Sequence, residues 1–225
     1  MRALVVSDEV NALLYSPFVI KIAGNVDIII SCGDLPVYYL DYLVSTLGKP
    51  LLYVCGNHDH YEKQHILVNN TNDLETFSES KFDYNNPLYF GGKNMDLKTE
   101  TIGGTIFGGL EGSILYNRGE HQYTELQMKK KIFAFTPSLI FNRIFEGRYI
   151  DVLITHAPPR NIHDRDDLAH RGFEEYIKFI KRFHPKYLLH GHTHLYDRNE
   201  SRIIDYYGTK VINCFNYQIL DLNIN

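Results

Sequence analysis

Leu4-Val5-Val6-Ser7-Asp8, at residues 4–8, is the stretch that decides the fold: a short apolar run that ends on a carboxylate. The construction recurs four times. Ile28-Ile29-Ile30-Ser31-Cys32-Gly33 leads to Asp34, Leu51-Leu52-Tyr53-Val54-Cys55-Gly56 to Asn57 and His58, and Val152-Leu153-Ile154-Thr155 to His156. Tyr187-Leu188-Leu189-His190-Gly191 leads to His192 and His194. Short apolar runs separated by amphipathic stretches read as buried strands of a mainly parallel sheet. In open α/β sheets ligands gather beyond the carboxyl ends of strands, so these runs are expected to deliver their polar tips to one rim.

Outward from these runs, the sequence predicts strands over Ala3 to Val6, Asp27 to Ile30 and Leu51 to Val54, with helices over Pro17 to Ile22 and Val37 to Leu47 between them. Tyr61 to about Lys98, rich in Asn, Asp, Glu and Ser, reads as an irregular insertion bordering the site. Thr101-Ile102 and Thr105-Ile106-Phe107, around Gly103-Gly104, read as a hairpin. The helical pattern from Tyr123 to Phe145 is expected to break near Pro137, whose ring and missing donor disfavour an uninterrupted helix. A strand over Tyr149 to Thr155, a polar loop through Asp167, a helix over Gly172 to Phe183 and a strand over Tyr187 to His190 follow. Arg202 to Leu222 reads as closing antiparallel strands. Both ends carry candidate site residues, so residues 1–225 are expected to form one domain.

The donor types select the chemistry. Carboxylates and imidazoles with an amide oxygen suit Mn, Fe or Zn, whereas an all-oxygen set points to Mg or Ca. A carboxylate can bridge two such ions, and the pair can clamp an in-line displacement at phosphorus. In an extended segment the two imidazoles of His192-Thr193-His194 point the same way. The net charge of −4 exerts no bulk pull on polyanions and argues against a dedicated nucleic-acid binder. No apolar run approaches the roughly 20 residues that span a bilayer. Three cysteines and a strand-like opening without a leader pattern place the expectation in the reducing cytoplasm.

The ordered set Ser7-Asp8, Gly33-Asp34, Gly56-Asn57-His58-Asp59, Thr155-His156-Ala157-Pro158 and Gly191-His192-Thr193-His194 resembles the five motifs of the calcineurin-like metallophosphoesterases. The resemblance implies a four-layer α/β/β/α sandwich with two mixed sheets and a two-metal site at their edge. It implies that Asp34 bridges two divalent ions, that Asp8 and His194 hold the first, and that Asn57, His156 and His192 hold the second. It makes His58 the non-ligand histidine that protonates the leaving oxygen or steadies the transition state, with Asp59 orienting it, and a water activated between the ions the nucleophile. The implied function is metal-dependent hydrolysis of a phosphodiester or phosphomonoester on a small phosphorylated substrate. The alternative is a catalytically weakened interaction scaffold of the same fold.

The sequence departs from the pattern at two places. Val10 stands where the first motif usually has histidine, so the first ion is expected to bind weakly unless Glu9 or Asn11 has taken the missing place. Leu35-Pro36 follows Asp34 without the acidic and arginine residues of the protein serine/threonine phosphatases, which favours the smaller phosphodiesterase-like branch. Arg160, His163 and Arg165, with His170 farther along the same polar loop after His156, are candidate substrate contacts. His60, His65 and His121 read as solvated loop residues, His190 as a packed or hydrogen-bonded histidine, Cys32 and Cys55 as small buried hydrophobes, and Lys129-Lys130-Lys131 as a solvated helix face.

Overall fold

A computed structural model of the chain describes residues 1–59, 91–195 and 200–224. Alternation within the apolar runs sorts them into layers. In strand β1 (Arg2–Ser7), Ala3 and Val5 face one way and Leu4 and Val6 the other, and all four are buried. A strand covered on both faces lies between two layers. Helix α1 (Val19–Ala23) connects it to β2 (Ile28–Ser31), and helix α2 (Val37–Leu47) connects β2 to β3 (Leu51–Tyr53). Gly48 ends α2 at φ +62°, a left-handed cap that suits a residue without a Cβ. Strand β4 (Gly92–Asn94) runs parallel beside β3.

The second half begins with the expected hairpin, β5 (Thr99–Ile102) and β6 (Thr105–Leu110). A short parallel pair follows, β7 (Ser113–Ile114) and β8 (Gln122–Tyr123), then helix α3 (Glu125–Phe145). Strand β9 (Val152–Thr155), helix α4 (Glu174–Phe183) and strand β10 (Tyr187–His190) continue the alternation. Strands β11 (Ile203–Tyr206), β12 (Thr209–Asn213) and β13 (Asn216–Asp221) close it.

The strands form two mixed sheets, β13-β1-β2-β3-β4 and β11-β12-β10-β9-β6-β5. Between them lies one apolar layer that joins Val5, Ile28 and Ile30 of the first sheet to Phe107, Ile154 and Leu189 of the second. The opposite face of the first sheet, with Leu4, Val6 and Ile29, packs under α1 and α2. The opposite face of the second, with Leu153, Leu188 and Val211, packs under α3 and α4. The result is the four-layer α/β/β/α sandwich expected from the motifs.

Three expectations need correction. Helix α3 runs unbroken through Pro137, which sits on its exposed side, while one residue earlier the Thr136 hydroxyl donates to the Ile132 carbonyl at 2.8 Å. Strands β11 to β13 are not one antiparallel set: β12 pairs parallel with β10, and β13 crosses to the other sheet to pair with β1. The supposed insertion ends in structure, since β4 and the fully buried Met95 belong to the sandwich. Its remaining part, with His60 and His65, lies outside the described residues.

At the end of the second sheet away from the motifs, buried Asp151 joins three strands. Its Oδ2 accepts from the Ile106 backbone at 2.8 Å and from Arg148 Nε, and its own backbone carbonyl accepts from Tyr187 N. Asp151→Ala orphans the Ile106 N–H and takes the carboxylate from Arg148, whose guanidinium keeps the Gly104 and Glu146 carbonyls, and thermal or urea unfolding should show a loss of about 1–3 kcal/mol. Metal content should be unchanged, because the residue lies at the opposite end of β9 from His156.

Candidate metal centre

All five motif runs end on the same rim, beyond the carboxyl ends of β1, β2, β3, β9 and β10. Asp8, Asp34 and His192 turn there with left-handed backbones, at φ +66°, +57° and +65°. Non-glycine residues seldom adopt this conformation, and it persists where surrounding bonds over-determine it. Asp8 N donates to Gly33 O at 3.1 Å, Asp34 N to Asp59 Oδ2 at 2.8 Å, and His192 N to both carboxylate oxygens of Asp8 at 3.0 Å. Gly191 is obligatory beside them, since a Cβ there would overlap Ser7 Oγ and the Asp8 carboxylate.

His156, fully buried, is the centre of the group. Its Nδ1 faces the Cys32 carbonyl at 2.8 Å, which fixes the protonated nitrogen and aims Nε2 at Asn57 Oδ1 (3.0 Å) and Asp34 Oδ2 (3.3 Å). His192 Nε2 faces the Ala169 carbonyl at 2.7 Å, which leaves the lone pair on Nδ1. Asp34, His156 and His192 place one donor atom each within 4.8 Å of one another. Donors about 2.1 Å from an octahedral ion stand about 3 Å apart, so the spacings round His156 Nε2 fit a coordination edge. Asp34, Asn57, His156 and His192 would therefore hold one divalent ion.

Electrostatics prepares the same exchange. Burial works against charge on His156, but the charge and hydrogen bond of Asp34, with Asp8 behind, push its pKa up to about 9. Burial would raise the Asp34 carboxyl, yet His156 and the His58 N–H hold it below the usual carboxylate range. Burial raises Asp8, and Asp34 adds to that. Burial and the neighbouring His156 lower His192 to about 3, so its imidazole is neutral at pH 7. A cation bound at this point would take over the role of the His156 proton.

The first-ion residues are looser. His194 Nε2 lies 3.9 Å from Asp8 Oδ1, its ring stacked on Phe215. Val10 packs against the outer core of the first sheet. Glu9 accepts from Asn216 Nδ2, and Asn11 both donates to Asn216 Oδ1 and accepts from the backbones of Leu13 and Leu14. Both residues considered for the missing place are thus committed to the turn after β1.

A cavity of about 400 Å³ lies over the group, lined by Asp8, Asp34, Asn57, His58, Tyr116, Ala169, His170, His192 and His194. The His58 side chain is exposed at its edge, and the His58 backbone N–H donates to Asp34 Oδ1 at 2.8 Å. Asp59 Oδ2 accepts from Asp34 N and Gly56 N, so it ties two motif turns together. Arg160, His163 and Arg165 line neighbouring cavities instead. Arg160 pairs with Asp164 at 2.5 Å, His163 Nδ1 meets His190 Nε2 at 2.9 Å, and Arg165 donates to the His194 carbonyl. Of their polar loop, Ala169 and His170 are the residues that reach the cavity. Sequence reasoning passed over Tyr116, whose hydroxyl accepts from Asn57 Nδ2 at 3.1 Å and which lies in no motif.

The remaining assignments divide. His190 is buried and hydrogen-bonded, and Cys32 and Cys55 are buried, as expected. His121 and Lys131 are not solvated: both pair with buried Glu111, and Lys131 also with Asp96 at 2.7 Å.

The model of the calcineurin-like phosphoesterases matches residues 4–196. The chain belongs to that family. No curated protein sequence matches it. Among solved structures, TT1561 of Thermus thermophilus is similar at a TM-score of 0.60 and 16% identity, covering 98% of this chain and 94% of that one. GAP50, described as the anchor in the inner membrane complex of Plasmodium, is similar at 0.52 and 14%, covering 96% of this chain and 71% of that one. Both likenesses are of fold alone. At the family level the chain is a metal-dependent phosphoesterase. No helix among the described residues is long and apolar enough to cross a membrane.

Two outcomes test the centre. Because ligation needs the neutral imidazole, manganese binding at pH 7 should release a proton from His156, and apparent affinity should climb toward pH 9 and level above it. Calorimetry in buffers of different ionisation enthalpy reads both. Val10→His takes a half-buried valine out of its packing against the outer core of the first sheet, so it should lower stability by about 1 kcal/mol without tightening a second manganese site.

Proposed function

We propose that this chain hydrolyses a small phosphorylated substrate, phosphodiesters ahead of monoesters, with Mn, Fe or Zn as the resident ions. One observation carries the reading: a buried donor set, aimed by the backbone carbonyls of Cys32 and Ala169, lies beneath a cavity with His58 at its edge. When bound, the ions would supply Lewis acidity toward phosphoryl oxygens and a water acidic enough to lose a proton to solvent near neutral pH and so become the nucleophile. The protein's own groups do the rest.

Asp34, held by the His58 N–H on one oxygen and facing His156 with the other, fixes the shared anionic point. Asn57 is steadied by Tyr116, whose hydroxyl accepts the amide and keeps its own proton for a substrate oxygen. His58, on the exposed side, is placed to give a proton to the departing oxygen. His170 and Ala169 close the far wall and limit substrate size. Asp8, Asp34 and His194 form a weaker first position than Asp34, Asn57, His156 and His192, so one tight ion and one that titrates in are expected. The net charge of −4 and a modest cavity favour a small molecule over a nucleic acid. A pure scaffold would have no use for so closely oriented a set of donors.

His58→Asn should lower turnover by a factor on the order of 10² to 10⁴ on a diester with a poor leaving group, with metal content unchanged. The loss should shrink for a nitrophenyl leaving group, which needs little protonation. An equal loss on both substrates, read by steady-state kinetics beside elemental analysis, removes leaving-group protonation from the mechanism.

A further inference from the structure

Helix α3 is apolar on both sides, but among the described residues only one is covered. Met128, Ile132, Phe135 and Leu139 are buried against the second sheet and α4. On the outer side Leu126, Phe133, Ile140, Phe141, Ile144 and Phe145 are 45% to 79% exposed. Leu126, Phe133 and Ile140 recur every seven residues and Ile144 continues the line, so they form one stripe about 27 Å long. Together the six side chains present roughly 700 Å² of apolar surface, more than a typical monomer leaves in one patch and close to what each partner gives to a stable interface.

We propose that the outer face of α3 is the two-fold interface of a homodimer, formed by antiparallel packing of α3 on its copy. Three observations select a second copy. The middle of the stripe is small and smooth, with Ala134 and Pro137 between the bulky ends, which lets two helices approach across an axis near Pro137. That axis sets Phe133 against Phe141 of the copy and repeats the contact on the other side, the self-complementarity a two-fold requires. It also brings exposed Lys129 and Lys130 near the carbonyl end of the copy's helix, where positive charge is favoured. A lipid surface fits less well: Lys129, Lys130 and Arg143 are few against a net charge of −4. Because α3 lies on the outer side of the second sheet, the pairing leaves the metal rim open.

Sedimentation velocity from about 1 to 100 μM should give twice the 26.2 kDa chain mass. Phe133→Glu combined with Ile140→Glu places like charges at the axis and should weaken association at least ~100-fold, with an unchanged circular dichroism spectrum. Lys129→Glu with Lys130→Glu sets negative charge against the carbonyl end of the copy's helix and should weaken it ~10-fold; this set decides the matter even if the first variant misfolds. A single-chain mass at every concentration overturns the proposal, as does a dimer indifferent to both sets. Single-chain wild type that floats with phosphatidylserine vesicles, and loses this with Phe133→Glu, assigns the face to lipid instead.

Discussion

His156 binds the two sheets to each other through the site. It follows a strand of the second sheet, yet its ring is held by the Cys32 carbonyl and faces Asp34, both beyond a strand of the first. A parallel link runs from His192, beyond β10, to the Asp8 carboxylate beyond β1. Two sheets that pack by apolar contact can slide by fractions of an ångström at little cost, whereas directional bonds at their shared end cannot. The centre therefore fixes the relative position of the layers on which it is built. Side chains that would hold the ions also hold the architecture.

The strained turns follow from this arrangement. A strand that ends in line would carry its next side chain outward along the strand axis, away from the gap between the sheets. The left-handed backbones at Asp8, Asp34 and His192 fold each chain back so that the side chain enters the gap. Each is held by a hydrogen bond to a different motif, so no turn is stable alone and the group forms together. Gly191 and Gly56 supply the close approach, and at both a methyl group would occupy the place of a carboxylate oxygen.

Most of this was legible in the sequence because it rests on local pattern. Runs such as Ile28-Ile29-Ile30 announce buried strands, and a polar residue just past such a run announces a rim. The surroundings of Arg160, His163, Arg165, His121 and Lys131 were harder to read for a common reason, since these residues belong to loops and faces where no period orders the side chains. Whether Arg160 meets a substrate or Asp164 depends on a partner four residues away, and Lys131 is paired with Asp96, thirty-five residues earlier in the chain. Pro137 misled for a different reason: proline breaks a helix on average, but α3 is secured on its inner side by packing that outweighs one missing donor. Tyr116 left no signal because only the fold brings it to Asn57.

Strand β13 gives the molecule a temporal order. It pairs along the whole of β1, from Arg2 with Asp221 to Ser7 with Asn216, although more than 200 residues separate them in the chain. Until that strand is made, β1 is an open edge whose N–H and C=O groups invite any extended segment nearby. His192 and His194 are also translated late, so a growing polypeptide on the ribosome holds Asp8 and Asp34 well before their partners exist. The set of ion-holding side chains is thus complete at His194 while β13 is still to come, and a nascent chain keeps the open edge of β1 after all of those side chains exist.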